Sequence, residues 1–206
     1  MSVVRDYGRR VAVLLLVVLS VVSCRTAKPA GAAIAPLVAT SPDDAMAQLR
    51  GRTASFTGAR SLMRVRATVG GKTQSFRAQL GVKNGNDMEL IAYTPVGTTA
   101  LTMTAHGEDV KVDNRLEDSE WQGSSAELAR TFGFFGTALT PAQMSMLMLG
   151  YLPEGVTAEA TMNGLARASI GDVSVTFDPP SFPAKSLVVT RGADRIEVEH
   201  LEVVGD

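Results

Sequence analysis

The chain has 206 residues, 45% hydrophobic and 20% charged, and its Lys+Arg 20 against Asp+Glu 21 leave it near neutral. A chain without a basic field is no candidate for nucleic acid, which is held by Lys and Arg set against phosphates. One cysteine excludes an internal disulfide, and the length suits a single domain held by packing alone.

Arg5, Arg9 and Arg10 precede an apolar run, Val11 to Val22, which is followed by Ser23 and Cys24. The run is well short of the roughly 20 residues a spanning helix needs, and its flanks are those of a secretory signal. The string Val21-Val22-Ser23-Cys24 resembles the bacterial lipoprotein signal, which implies cleavage before Cys24 and acylation of that cysteine. The plainer reading is an ordinary cleaved signal, or a short anchor, with an incidental cysteine. On the lipoprotein reading, residues 1–23 are the signal peptide. Losing Arg5, Arg9, Arg10 and Asp6 leaves 17 cations against 20 anions. Acyl chains contribute about 0.8 kcal/mol per buried methylene, so two or three of them hold a domain at a membrane almost permanently. In the sorting scheme of such lipoproteins, Arg25 in place of an aspartate directs the protein to the outer membrane, lipid-anchored on the periplasmic face.

Residues 24–40 are rich in Ala and Pro with few large apolar groups, a composition that predicts an acylated flexible tether. Residues 41–206 form the single folded domain. Ser41-Pro42-Asp43-Asp44 supplies an N-cap, a first-position proline and two acids for the helix dipole, and predicts a helix through Leu49 ended by Gly51. Strands are expected at Ser61–Val69, Thr73–Val82, Met88–Tyr93, Thr98–Ala105 and Asp109–Val112. Turn chemistry such as Gly70-Gly71, Asn84-Gly85-Asn86 and His106-Gly107-Glu108 separates them. Strands about ten residues apart with no long helices between them predict an antiparallel meander that curves or closes.

Two helices interrupt the meander. Ser124 and Glu127 have capping-box spacing, with Leu128, Phe132 and Phe135 on one face beyond them. Thr140-Pro141 opens the other, which carries Met144, Leu147, Met148 and Tyr151 at helical intervals. By spacing alone this stripe suits a filled core as well as the wall of a cavity. Strands resume at Val156–Met162, Ala166–Ile170, Val173–Phe177, Lys185–Thr190 and Arg195–Val203.

Enzymatic chemistry finds little support. His106 and His200 have no Cys or carboxylate at metal-ligand spacing, and no nucleophile elbow is present. Asp113, Glu117, Asp118 and Glu120 suit a solvated hairpin face better than a carboxylate pair for glycoside hydrolysis. No metal or cofactor is expected.

Within Met88–Asn114 lies Tyr93-Thr94-Pro95-Val96-Gly97-Thr98-Thr99, where Pro95 and Gly97 fit a tight inter-strand loop that leaves Val96 unsheltered. That string, the Leu149-Gly150 helix ending, the Cys24 signal and the strand order together resemble the outer-membrane lipoprotein receptor LolB and its relatives in the lipoprotein-localisation superfamily. The resemblance covers about 90 residues. It implies an α+β fold: a strongly curved antiparallel sheet forming an incomplete β-barrel, covered by short helices, around an apolar acyl-chain cavity. It also implies a receptor that takes acylated lipoproteins from a LolA-like periplasmic carrier and inserts them into membrane lipid, acting as a monomer. Carried over by position, Pro95-Val96-Gly97 is the membrane-insertion loop. Met88, Leu90, Leu101 and Met103 on the strands, with Leu128, Phe132, Phe135, Met144, Leu147 and Met148 on the helices, are the expected cavity and lid. The other reading is a lipoprotein that carries a free lipid or glycolipid on the same scaffold. A filled core on a purely structural envelope protein is a third.

Overall fold

The computed structural model describes residues 31–132 and 139–206. Cys24 and Phe135 lie outside those residues, as does the side chain of Phe132. In chain order the elements are β1 (Ala32–Ala33), α1 (Pro42–Ala54), β2 (Gly58–Val69), β3 (Lys72–Lys83), β4 (Asp87–Tyr93), β5 (Thr99–His106), β6 (Asp109–Asn114) and β7 (Ser119–Ser124). There follow α2 (Ser125–Phe132), α3 (Pro141–Met148), β8 (Thr157–Thr161), β9 (Gly164–Ile170), β10 (Val173–Phe177), β11 (Ser186–Arg191) and β12 (Asp194–Gly205).

All the strands join one antiparallel sheet, in the order β7-β6-β5-β4-β3-β2-β12-β11-β10-β9-β8, with β1 added beside β12. Two meanders are thus fused where β2 meets β12. That seam runs from Arg195 opposite Thr68 to Gly205 opposite Ala59, with one irregularity between His200 and Glu202. The outermost strands, β7 and β8, are not paired with each other, so the curved sheet does not close. α1 lies against β8 and β9, α2 against β6 and β7, and α3 against β3, β4 and β5.

The strands form because apolar residues recur at every second position and all of them then face the concave side. On β2, Ser61, Met63 and Val65 are buried while Arg60, Arg64 and Arg66 are exposed. On β3, Ala78, Leu80 and Val82 are buried in the same way. Fully burying each such aliphatic side chain contributes about 1.5–3 kcal/mol.

Three elements depart from expectation. α1 is capped as predicted, with the Asp44 amide donating to the Ser41 hydroxyl at 3.1 Å, but it runs through Gly51 to Ala54. A mid-helix glycine costs about 1 kcal/mol relative to alanine. The last turn is held by tertiary bonds instead: Arg52 donates to the carbonyls of Ala35 and Pro36 at 2.6 and 2.9 Å, and the Leu152 amide donates to Thr53 Oγ1 at 2.9 Å. The segment expected to be a free tether through Thr40 is docked from Ala32 onward. Ala32 and Ala33 pair with Gly205 and Val204, Leu37 is buried, and Gln48 donates to the Val38 carbonyl at 2.7 Å. β7 was not expected as a strand, since Ser119-Glu120-Trp121-Gln122-Gly123-Ser124 has no apolar alternation, and it forms by pairing with β6.

Candidate functional site

The concave side of β2–β5 and β11–β12 does not fill completely. Between it and α3 lies a cavity of about 100 Å³. Met63, Val65, Phe76, Leu80, Leu90 and Met103 line one side of it. Met144, Ser145 and Met148 of α3 contribute another wall, and Val189, Ile196 and Val198 a third. The single polar side chain, Ser145, donates its hydroxyl proton to the Pro141 carbonyl at 2.8 Å, so that side chain offers a ligand no donor. Four of the nine methionines in the chain line this space. Methionine is unbranched and polarizable and reshapes easily around apolar partners. This partly open space is smaller than the roughly 150 Å³ cavity that takes one benzene. An acyl chain therefore fits only if these side chains move.

α3 is enclosed on nearly all sides: Pro141, Ala142, Met144, Ser145, Met146 and Leu147 are all buried. It is a plug inside the curve of the sheet rather than an amphipathic lid lying over it, and a helix apolar all round is stable only when covered so. Its first turn has the predicted cap in full, Thr140 and Gln143 exchanging bonds in a capping box. Its end is a Schellman motif. The Gly150 amide donates to the Leu147 carbonyl at 2.9 Å and the Tyr151 amide to the Met146 carbonyl at 3.0 Å, with Gly150 at φ 96°.

Two further bonds tie that end to the β10–β11 connection and to β12. The Ala184 amide donates to the Leu149 carbonyl at 3.0 Å, and His200 Nε2 donates to the Met148 carbonyl at 3.1 Å. Because a carbonyl can only accept, His200 carries its proton on Nε2, and Nδ1 accepts from the Ser61 hydroxyl at 2.7 Å. Burial pushes the His200 imidazole down to about 4, against the opposing pull of the Met148 carbonyl, so the ring is neutral.

Within the β4–β5 connection, Thr94–Thr98, Pro95-Val96-Gly97 form a three-residue loop closed by the Thr94–Thr98 pair. The Gly97 amide donates to the Thr94 carbonyl at 2.9 Å, and the Thr94 amide to the Thr98 carbonyl at 2.8 Å. The Thr94 and Thr98 hydroxyls lie 2.8 Å apart. Gly97 at φ 88° ends the loop in the left-handed conformation that such turns require. Val96 stands at the tip, 75% exposed. Beside the loop an open groove of about 380 Å³ runs onto the outer face of the sheet, lined by Arg64, Ser75, Arg77 and Tyr93 together with the loop. Phe76 lines both the inner cavity and this groove, and so stands between them.

Of the residues expected to form the cavity, Leu90, Met103, Met144 and Met148 line it. Met88, Leu128 and Leu147 are buried elsewhere in the core, and Leu101 packs against its margin. Sequence reading missed the contributions of β2, β3, β11 and β12. The alternation on those strands marks a buried face, but it does not show which part of that face meets a void. Nothing in the sequence marks Phe76 as the residue between cavity and groove.

The acids at 113–120 sit on the exposed β6–β7 hairpin, where Lys111 meets Glu120 at 2.9 Å and Arg115 meets Asp113 at 2.8 Å. His106 ends β5 rather than lying in a turn, and it contacts Asp87 of the paired strand. Among the described residues no group of three or more His, Cys, Asp or Glu could hold a metal ion, and no helix is long and apolar enough to cross a membrane.

Compared by sequence, the chain matches no protein-family model and no curated protein. Compared by structure, it is similar to an outer membrane lipoprotein-sorting protein domain from Vibrio parahaemolyticus: TM-score 0.51 and 10% identity, covering 78% of this chain and 90% of that one. It is also similar to a LolA superfamily protein from Nitrosomonas europaea: TM-score 0.50 and 6% identity, covering 82% and 94%. The fold is therefore LolA-like, an open, curved antiparallel sheet with a few short helices.

Proposed function

We propose that the protein is a lipid-anchored receptor of the outer membrane that accepts acylated lipoproteins from a LolA-like periplasmic carrier and inserts them into the membrane, with no covalent chemistry. The observation that carries this reading is the pairing of an apolar cavity with an exposed apolar loop tip, Val96, in a groove that shares Phe76 with that cavity. Acyl burial at about 0.8 kcal/mol per methylene dominates at each stage, so small differences in fit between carrier, receptor and bilayer set the direction of transfer. Cys24, once acylated, keeps the domain at the destination, and Val96 perturbs the leaflet for the incoming chains.

The test is Val96→Glu. An exposed loop-tip substitution shifts stability by no more than about 0.5 kcal/mol. The variant is expected to fold and to take up an acylated lipoprotein from the carrier, yet to fail to release it into vesicles. Normal insertion by this variant overturns the role given to the loop.

A further inference from the structure

The outer face of the sheet beside the loop carries an arrangement that the folded domain alone does not explain. In the β2–β3 pairing Arg64 stands directly opposite Arg77, and in the next pairing Arg77 stands opposite Tyr93 at the base of the loop. Like charges directly opposite across an antiparallel pair are destabilising. Arg64 has one anion, Glu199, on its far side. Among the described residues Arg77 has no ion-pair partner.

Both guanidinium groups border the groove of about 380 Å³, and Ser75 and the loop complete its walls. That volume falls within the range of small-ligand sites. The β2–β3 hairpin continues five residues past the end of β4, from Phe76 out to Lys72, and adds Lys72 and a partly exposed Val69 near its tip. The next hairpin end on the other side of the loop is acidic, with Glu117 and Asp118 beside the exposed Leu116. The β2–β3 flank thus carries Arg64, Arg77 and Lys72, with Asp194 accepting from the Gly70 amide at 2.9 Å near its tip, whereas the β6–β7 turn carries Arg115 against Glu117 and Asp118 and is net acidic.

We infer that the Arg64–Arg77 groove binds the phosphate of an anionic phospholipid headgroup, and so seats the Val96 loop in an anionic leaflet with the β2–β3 hairpin down and the β6–β7 hairpin away from it. The occupant is argued from charge and geometry. Arg64 and Arg77 line one groove together with the apolar Val96, a pairing of cationic and apolar groups that suits a phosphodiester with acyl chains below it, Arg77 being the cation not held by a carboxylate among the described residues. This inference rests on the receptor reading, which places Val96 in the membrane.

The test uses the full chain with Cys24→Ser and a single new cysteine, Val96→Cys or Leu116→Cys, carrying an environment-sensitive fluorophore. The readout is local to each tip, whatever the N-terminus does. Vesicles of phosphatidylcholine are compared with vesicles containing phosphatidylglycerol. The label at 96 is expected to shift to the blue on both, with a preference for the anionic vesicles of about thirtyfold, the size expected for two basic residues at a membrane surface. Arg64→Ala with Arg77→Ala is expected to bring that preference near parity, and the label at 116 to stay in water. Equal response to both vesicles, a preference that survives the double substitution, or a blue shift at 116 equal to that at 96 overturns the inference and leaves the receptor reading standing. No shift at 96 on either vesicle overturns both.

Discussion

The two halves of the sheet are built from different materials. Around β8–β11 and α1 the interior is filled with rigid groups: Leu165, Val173, Val175 and Phe177 are almost wholly buried. Tyr151 stands edge-on between Phe56 and Phe182, with ring centroids 4.7 and 5.0 Å away. Arg52 caps the cluster, 4.7 Å over the Phe182 ring. Around β2–β5 and α3 the interior is methionine-rich and leaves a void. Branched and aromatic side chains have few rotamers, whereas methionine has many. One half can keep its shape while the other changes, and four measurements would break or sharpen that contrast.

The largest effect is expected from Phe182→Ala, which removes a ring shared by Tyr151 and Arg52. Such a loss costs about 3–5 kcal/mol, read as a lower denaturation midpoint. If the loss is under 1 kcal/mol, the rigid half is not rigid.

Acid is expected to act next, through His200. The folded ring takes up no second proton until about pH 4, while the unfolded ring takes one up near 6.5. As pH falls from about 6.5 to 4 the unfolded state binds more protons than the native state, so stability declines across that window, by on the order of 1–3 kcal/mol. His200→Gln keeps a donor for the Met148 carbonyl and should flatten this slope in acid titrations followed by denaturant. An unchanged slope assigns the titration to another group.

Met144→Leu with Met148→Leu nearly conserves volume, so each should cost less than about 1.5 kcal/mol. Uptake of a fluorescent fatty acid should nevertheless fall, because the wall can no longer reshape. Undiminished uptake would sink the idea that methionine softness, rather than simple hydrophobicity, makes the cavity usable. The smallest change in stability is that of Val96→Glu, whose effect falls on release into vesicles.

Much of the frame was legible in the residues. Alternation in Met88-Leu90-Ala92 and Leu101-Met103-Ala105 gives the inward faces of β4 and β5. Thr94-Pro95-Val96-Gly97-Thr98 gives the loop, and Thr140-Pro141 with Leu149-Gly150 gives both ends of α3. These signals are local, carried by residues adjacent in the chain. What escaped the sequence is set by distant partners. The end of α1 depends on Arg52 reaching Ala35 and Pro36, and the docked stretch after Gly31 depends on the edge offered by Val204 and Gly205. The enclosure of α3 depends on β3, β4 and β5 and on bonds from His200 and Ala184, all distant in sequence. No periodicity in a helix says whether its outer side will be covered.

The docking of β1 sets a mechanical limit. If Cys24 is acylated as proposed, residues 25–31 join that anchor to the first docked strand, a leash that spans at most about 25 Å when fully extended. β1 lies at the Gly205 end of the seam, whereas the Val96 loop emerges at the level of Arg64 and beyond, about eight residues or 25 Å away along β2. A domain standing on its anchor would thus hold Val96 out of reach of the bilayer. With leash and separation both about 25 Å, loop and anchor meet the same leaflet only with the leash drawn out nearly straight or with the curved sheet lying along the membrane.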